Sequence, residues 1–358
     1  MPSDRVSTLE LFFDLVFVFT ITQVARLVAG AHGIASLGHA ALILTIAWWM
    51  YAGYAWLTNN VGPNGFAIRI LMLIGTGAYF VMALSIPRAE SVDGLPFGVA
   101  FAIVTIVHAA LFTKATNSSA IAIFRIAPYN FLAAACTIGA AWLDPAWRWT
   151  GWLAAVLVFV VATLHRREGG FRVRAAHFAE RHGLVIIVAI GESVVSLGSG
   201  LDAATVRWPL IRVVTLGFAL CAAIWWTYFD GDDERGERAL AAAPEDERAR
   251  LALFAYSYAH LGMVGGIVGI AAGLHEAIAH LGGTVSTFHA AMLAGGVSLY
   301  LLSDRWFRTS LAFGRSFGRS GGAVLALSAI PLGSMVSSSI EILALVVVVI
   351  GVILLDRS

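Results

Sequence analysis

Apolar runs of about twenty residues, the length that crosses a bilayer core as a helix, recur along this chain and are parted only by short polar breaks. Requiring one such run per element predicts helices over 8–29, 36–57, 67–87, 96–114, 119–143 and 148–165. Six more follow over 180–200, 208–229, 249–275, 284–303, 320–335 and 336–356. The last boundary rests on a short turn in "MVSSSIE" around Ser337. The pattern is that of an all-α, polytopic integral membrane protein with about twelve transmembrane helices.

The cations agree with this count. With the N-terminus inside, only Arg26, Arg88, Arg148, Arg207 and Arg212 of the 23 basic residues fall on the outer side. Cytoplasmic loops carry such an excess by the positive-inside rule, which places both termini in the cytoplasm and the chain in the inner membrane. The first apolar run contains acidic residues and precedes no small-residue cleavage site, so it reads as a retained helix rather than a signal peptide.

Composition narrows the class further. The 358 residues are 59% hydrophobic and 13% charged, with mean hydropathy +0.82, against roughly a quarter charged in soluble domains. The formal net charge of +1 is not pooled into a basic patch, so no nucleic-acid partner is expected. Lys114 is the sole lysine, and Cys136 and Cys221 both lie in apolar runs as small core residues rather than a disulfide or metal pair.

A six-plus-six parallel repeat is also expected. Glu10 and Glu180 open helices one and seven, 170 residues apart. "WWMY" (Trp48, Trp49, Tyr51) and "WWTY" (Trp225, Trp226, Tyr228) mark helices two and eight, and Pro128 and Pro331 interrupt helices five and eleven. Parallel repeats about the membrane normal are a known transporter plan. The organisation is then a first half over 1–165, a basic cytoplasmic linker over 166–179, and a second half over 180–358.

Charge inside the membrane carries the chemistry. An acid at the bilayer centre costs roughly 2.5–3.5 kcal/mol on insertion scales, so such groups face a bundle interior and have partners. Glu10 and Asp14 share one face at i, i+4. Glu10 is near the inner surface and Asp14 about 6 Å deeper. An interfacial cap or a bundle salt bridge would account for them, as would a proton site. Glu192, beside Gly191 and Ser193, stands about 18 Å beyond Glu180 along its helix, at mid-bilayer. Arg125 in "FRIAPYNFL" matches the depth of Asp14 and is the expected partner of a helix-one carboxylate, with the Asn130 amide nearby. His182 stands beside Glu180 at the mouth of helix seven; His108 and His260 lie near mid-depth, where a hydrogen-bonded core histidine is the ordinary role. The acids of "DGDDERGER", from Asp230, read as facing water, with a short surface helix following.

The absences prune alternatives. The chain has no P-loop, no paired DDxxD motif, no G-x-S-x-G elbow, no zinc motif and no mid-membrane lysine. The residues name no cofactor, and no metal site is expected.

Two stretches carry a family likeness: "STLELFFDLVFVFTITQVARL", with Glu10, Phe12, Phe13, Asp14 and Phe17, and "FAERHGLVIIVAIGESVVSLG", with Glu180, Arg181, Gly183 and Gly191-Glu192-Ser193. With these motifs and the many-helix layout, essentially the whole chain resembles the bacterial low-temperature-requirement protein A family. The resemblance implies a multi-span membrane protein and a set of signature residues, without a substrate. Three functions remain open. One is a proton-coupled secondary transporter of a small molecule, with the tryptophans lining or sealing the path. Another is an intramembrane enzyme on a lipid or isoprenoid, using its acids as general acid, base or metal ligands. The third is a scaffold or sensor whose acids are structural. The lipid bilayer is the partner common to all three.

Overall fold

The computed structural model describes residues 5–63, 65–90, 94–115, 119–165, 171–198, 207–314 and 317–357. Among them there is no strand. The helices are α1 (Thr8–Ala29), α2 (Ile34–Asn60), α3 (Phe66–Ser85), α4 (Leu95–Phe112), α5 (Ser119–Ala140), α6 (Arg148–Leu164) and α7 (Ala175–Gly198). They continue as α8 (Trp208–Phe229), α9 (Asp232–Ala242), α10 (Glu245–Leu251), α11 (Ala259–Ala279), α12 (Thr287–Ser310), α13 (Phe317–Leu327) and α14 (Ser338–Arg357).

Ten segments of the described residues are long and apolar enough to cross a membrane. The 24-residue helices α7 and α12 match them in length and carry charges along them: Glu180, Arg181 and Glu192 in one, Asp304, Arg305 and Arg308 in the other. Large apolar side chains such as Leu15, Phe66, Leu164, Phe218 and Val347 are exposed. In a many-helix apolar chain that surface is covered by lipid. The protein is a multi-pass membrane protein.

Helix positions differ from the periodicity in instructive places. Helix α7 starts at Ala175, not 180: its alanine-rich first turn favours a helix but follows a polar stretch and is interrupted by His177, so an apolar-run criterion does not register it. That draws the end of the expected basic linker into a helix, while residues 166–170 of that linker lie outside the described residues. Pro128 does not interrupt α5, which runs through it, as membrane helices allow when neighbours re-satisfy the freed backbone. Pro331 does mark a break: α13 ends at Leu327, a π-helical turn spans Leu332–Val336, and Ser337 is extended before α14. A second π segment, Ala252–Tyr258, joins α10 to α11 without a gap.

The chain divides into two compact units. The first comprises residues 1–24, 37–181 and 241–252. Here polar side chains cross-link helices. Trp49 Nε1 donates to Asn130 Oδ1 at 2.9 Å and its ring stacks on Phe159 at 4.3 Å, joining α2 to α5 and α6. Tyr79 donates to the Ala47 carbonyl, and His108 Nε2 meets the Gly53 carbonyl at 3.0 Å, so His108 is a hydrogen-bonded core histidine.

The second unit comprises residues 25–36, 182–240 and 253–358. Its closest helix contact is α11 on α12, where glycines let the backbones touch as small residues do in membrane bundles. A Cβ on Gly266 would stand 2.7 Å from both the Gly296 carbonyl oxygen and the Tyr300 nitrogen. These are backbone atoms, which cannot swing aside. We therefore expect Gly266→Ala to force the helices apart at a cost of about 1–3 kcal/mol, read as a lowered midpoint of thermal unfolding in detergent. The same exchange at Gly295, where a Cβ meets nothing within 4 Å, should leave the midpoint nearly unchanged.

Candidate functional site

The first helix begins with a capping box. Ser7 precedes α1, its hydroxyl meets the Glu10 backbone N–H at 3.4 Å, and Glu10 Oε2 accepts from the Ser7 N–H at 2.8 Å and from its hydroxyl at 2.7 Å. This fixes the Glu10 carboxylate so that its other oxygen points into the first unit. There Oε1 meets His177 Nε2 at 3.0 Å and Arg181 Nη1 at 3.0 Å. One turn deeper, Asp14 Oδ1 accepts from the Tyr51 hydroxyl at 3.1 Å and from Arg181 Nη2 at 2.9 Å.

Each helix contributes an i, i+4 pair, which stacks two side chains on one face: Glu10 and Asp14 on α1, His177 and Arg181 on α7. Helix α2 completes the enclosure. Thr58 Oγ1 accepts from Arg181 Nη1 at 3.4 Å. Asn59 accepts the Arg174 N–H through Oδ1, so its Nδ2 amide is turned toward His177 Nδ1, 3.4 Å away. Nε2 is the ring nitrogen that faces Glu10.

Glu10, Asp14, His177 and Arg181 are each at most 2% exposed. Two carboxylates therefore share one guanidinium in a dry site, with His177 beside Glu10. Oδ2 of Asp14 and Nε of Arg181 have no hydrogen-bond partner among the described residues. A crevice lined by Glu10, Phe13, Tyr54, Thr58, Met72, Thr76 and Arg181 adjoins the cluster and is too tight to hold a water molecule. Aromatic rings wall the cluster: Phe17 stacks on Tyr51 at 4.1 Å, Phe13 on Tyr54 at 4.8 Å, and the guanidinium carbon lies 5.7 Å from the Phe13 and Tyr51 centroids. The arrangement can hold or release a proton and can exchange a guanidinium between two carboxylates.

The expected pair between Arg125 and a helix-one carboxylate is not formed. Arg125 is exposed on α5, and Arg181 takes its place. Similar depth in the membrane does not settle which way a side chain faces. Asn130 is occupied by Trp49. Glu180, neighbour to Arg181 in sequence, is exposed and accepts the Val6 N–H at 3.0 Å. Trp48 is buried against Phe17 and Tyr51.

The remaining predicted residues belong to the second unit. Glu192 and Ser193 are buried in α7. His182 and His260 are fully buried with ring centroids 5.3 Å apart, and His260 Nε2 meets the Tyr228 hydroxyl at 2.9 Å. Trp225 and Trp226 are exposed on α8.

The second unit also holds a charge network absent from the sequence expectations. Asp232, expected to face water, is 3% exposed. Its Oδ2 lies 3.0 Å from Arg319 Nη2 and 3.6 Å from Arg308 Nη1. Asp356 Oδ2 is 2.7 Å from Arg308 and 3.2 Å from Arg319, and Asp304 pairs with Arg319. Arg235, half exposed, adds a contact to Asp232 at 3.2 Å. The helices predicted over 284–303 and 320–335 leave Arg308 and Arg319 between them, whereas they lie on α12 and α13. The sequence signal for the network is again an i, i+4 pair, Asp304 and Arg308 on α12. Among the described residues no group of three or more His, Cys, Asp or Glu is arranged to hold a metal ion.

Comparison with known proteins assigns the chain to a family. An uncharacterized protein of Rhizobium meliloti (strain 1021) is 26% identical over 324 residues, which cover 85% of this chain and 77% of the relative. The family model of the bacterial low temperature requirement A protein (LtrA) matches residues 5–354, a range that takes in Glu10, Asp14, His177 and Arg181 as well as the network on α9, α12 and α13. This multi-pass membrane protein belongs to the LtrA family.

Proposed function

We propose that this protein is a proton-coupled secondary transporter of a small molecule in the bacterial inner membrane, with both termini in the cytoplasm. One observation carries the reading: a single buried arginine is shared by two carboxylates, one of which keeps an unpartnered oxygen. A proton taken up on Asp14 removes the charge that holds Arg181 Nη2. The guanidinium then rests on Glu10 alone, and the crevice beside Phe13 and Met72 can open. Loss of the proton restores both contacts and closes it. Intramembrane acids paired in this way serve proton relays because the charged and neutral forms favour different packings. Glu192, buried in the second unit with Ser193 beside it, is a separate candidate proton site. The arginine distribution supports an orientation with the Glu10 end of α1 at the inner surface.

A second reading is an intramembrane enzyme acting on a lipid or isoprenoid. The aromatic wall around Asp14, formed by Phe13, Phe17 and Tyr51, favours it, since rings stabilise cationic intermediates next to a proton donor.

Proteoliposomes decide between them. With a pH-sensitive dye inside, amino acids, carboxylates, amines and sugars are added outside under an imposed pH gradient. We expect wild type to move protons in response to one class, and Asp14→Asn and Glu10→Gln to abolish that flux. No response in wild type to any class, or full flux in Asp14→Asn, would overturn the transporter. A lipid altered on incubation with wild type but not with Asp14→Asn would establish the enzyme.

A further inference from the structure

The first turn of α14 holds a carboxylate that nothing in the charge networks uses. Glu341 is fully buried, and neither of its oxygens has a hydrogen bond or a cation among the described residues. It is not needed to cap its helix. The Ser338 N–H donates to the Gly283 carbonyl at 2.8 Å and the Ser339 N–H to the Gly282 carbonyl at 3.3 Å. The Ile340 N–H reaches Ser337 Oγ at 3.2 Å, and the Glu341 N–H reaches the Ser337 carbonyl at 3.2 Å. Every early N–H of α14 is thus satisfied without the acid. In α1, by contrast, Glu10 is itself half of the capping box.

Further oxygens collect at the same turn. Ser338 Oγ, 1% exposed, lacks a partner, and Ser338 lies three residues before Glu341 on the same helix face. Ser339 Oγ, also buried and unpartnered, packs on Gly282, where a Cβ would overlap it. The Glu341 carboxylate packs in the same way on Gly333, in the π turn after Pro331. The Val285 N–H donates to the Gly333 carbonyl at 3.2 Å, tying this turn to the α11–α12 loop. Two glycines thus make room for oxygens, and the oxygens they admit have no donor.

An isolated buried carboxylate is too costly to persist unpaired. A cation beside the Glu341 carboxylate and the Ser338 hydroxyl on the same helix face would satisfy both. One carboxylate with neutral hydroxyls supplies a single negative charge, whereas divalent ions such as Ca²⁺ gather more oxygen ligands and several carboxylates. Broken membrane helices are where transporters hold such ions. We propose that Glu341 and the Ser338 hydroxyl, beside the Gly333 turn, form a binding site for a monovalent cation. The site lies within the second unit and does not depend on the proton-coupled reading of the first.

The test uses full-length protein in nanodiscs at fixed pH, with NaCl or KCl exchanged against choline chloride at constant ionic strength. Thermal midpoint and binding of ²²Na⁺ are both measured. We expect a saturable rise in midpoint with Na⁺ or K⁺, about one displaceable Na⁺ per chain, loss of both in Glu341→Gln, and a severalfold weaker affinity in Ser338→Ala. A wild-type midpoint indifferent to replacing the alkali ions by choline, with no bound ²²Na⁺, overturns the site. So does a Glu341→Gln protein that keeps the response, or, when the series is repeated at several pH values, a midpoint that follows pH alone, which would make Glu341 a proton site. Should Glu341→Gln fail to fold, wild type and Ser338→Ala decide: stoichiometric binding weakened by the serine change supports the site, and unchanged binding refutes it.

Discussion

Arg181→Ala is expected to lower stability by about 3–5 kcal/mol, the usual result of removing one partner from a buried ion pair, and to be the most damaging single change in the first unit. Arginine 181 is 1% exposed and bridges Glu10, Asp14 and Thr58. Without it, two carboxylates face each other in a site that admits no water, and His177 can answer only Glu10. The loss therefore comes mainly from what is left behind, not from the contacts removed. That distinction is testable. Adding Glu10→Gln and Asp14→Asn to Arg181→Ala removes the stranded charges, so the triple variant should recover much of the midpoint lost by the single one. Thermal unfolding of all three proteins in the same detergent reads this directly. An Arg181→Ala protein as stable as wild type would mean that the carboxylates are not held by this residue.

Arg319→Ala should produce a loss of similar size in the second unit, again about 3–5 kcal/mol. Arginine 319 touches Asp232, Asp304 and Asp356, and its Nη2 also donates to the Thr227 carbonyl at 3.3 Å. Three aspartates would be left to Arg308 and the half-exposed Arg235. Asp304 is fully buried and pairs only with Arg319 among the described residues, so it becomes the stranded charge. The combination Arg319→Ala with Asp304→Asn should therefore be more stable than Arg319→Ala alone. Arg235→Ala, at the rim of the same network, should shift the midpoint little, because a half-exposed pair contributes at most about 1 kcal/mol. Equal losses for Arg235→Ala and Arg319→Ala would show that burial does not grade this network.

Both networks illustrate what a single sequence displays and what it conceals. The acids at 10 and 14 were visible because charge within an apolar run is costly and must be accounted for. Their partner was not, since His177 and Arg181 fall in a polar stretch that resembles a loop until α7 is seen to begin at Ala175. Arg125 was the reasonable choice by depth, yet its side chain faces outward on α5. Asp232 sits in a segment of mixed charge whose composition is that of a solvated loop, and only its approach to α12 and α13 makes it buried. Glu341 escaped notice for a related reason. In sequence it is an acid in the first turn of a helix, where acids are ordinary, and its isolation appears only once Ser337, Gly282 and Gly283 are seen to have capped the helix without it.

The class of protein, the approximate helix count and the family resemblance are legible in the residues alone. These follow from local properties: run length against bilayer thickness and short contiguous motifs. Which charges meet is set by how the helices pack. An ion pair depends on the azimuth of two helices and on contacts between residues far apart in the chain, here 171 positions from Glu10 to Arg181 and 87 from Asp232 to Arg319. Local periodicity carries no term for that distance, so the partners of every buried acid had to come from the fold.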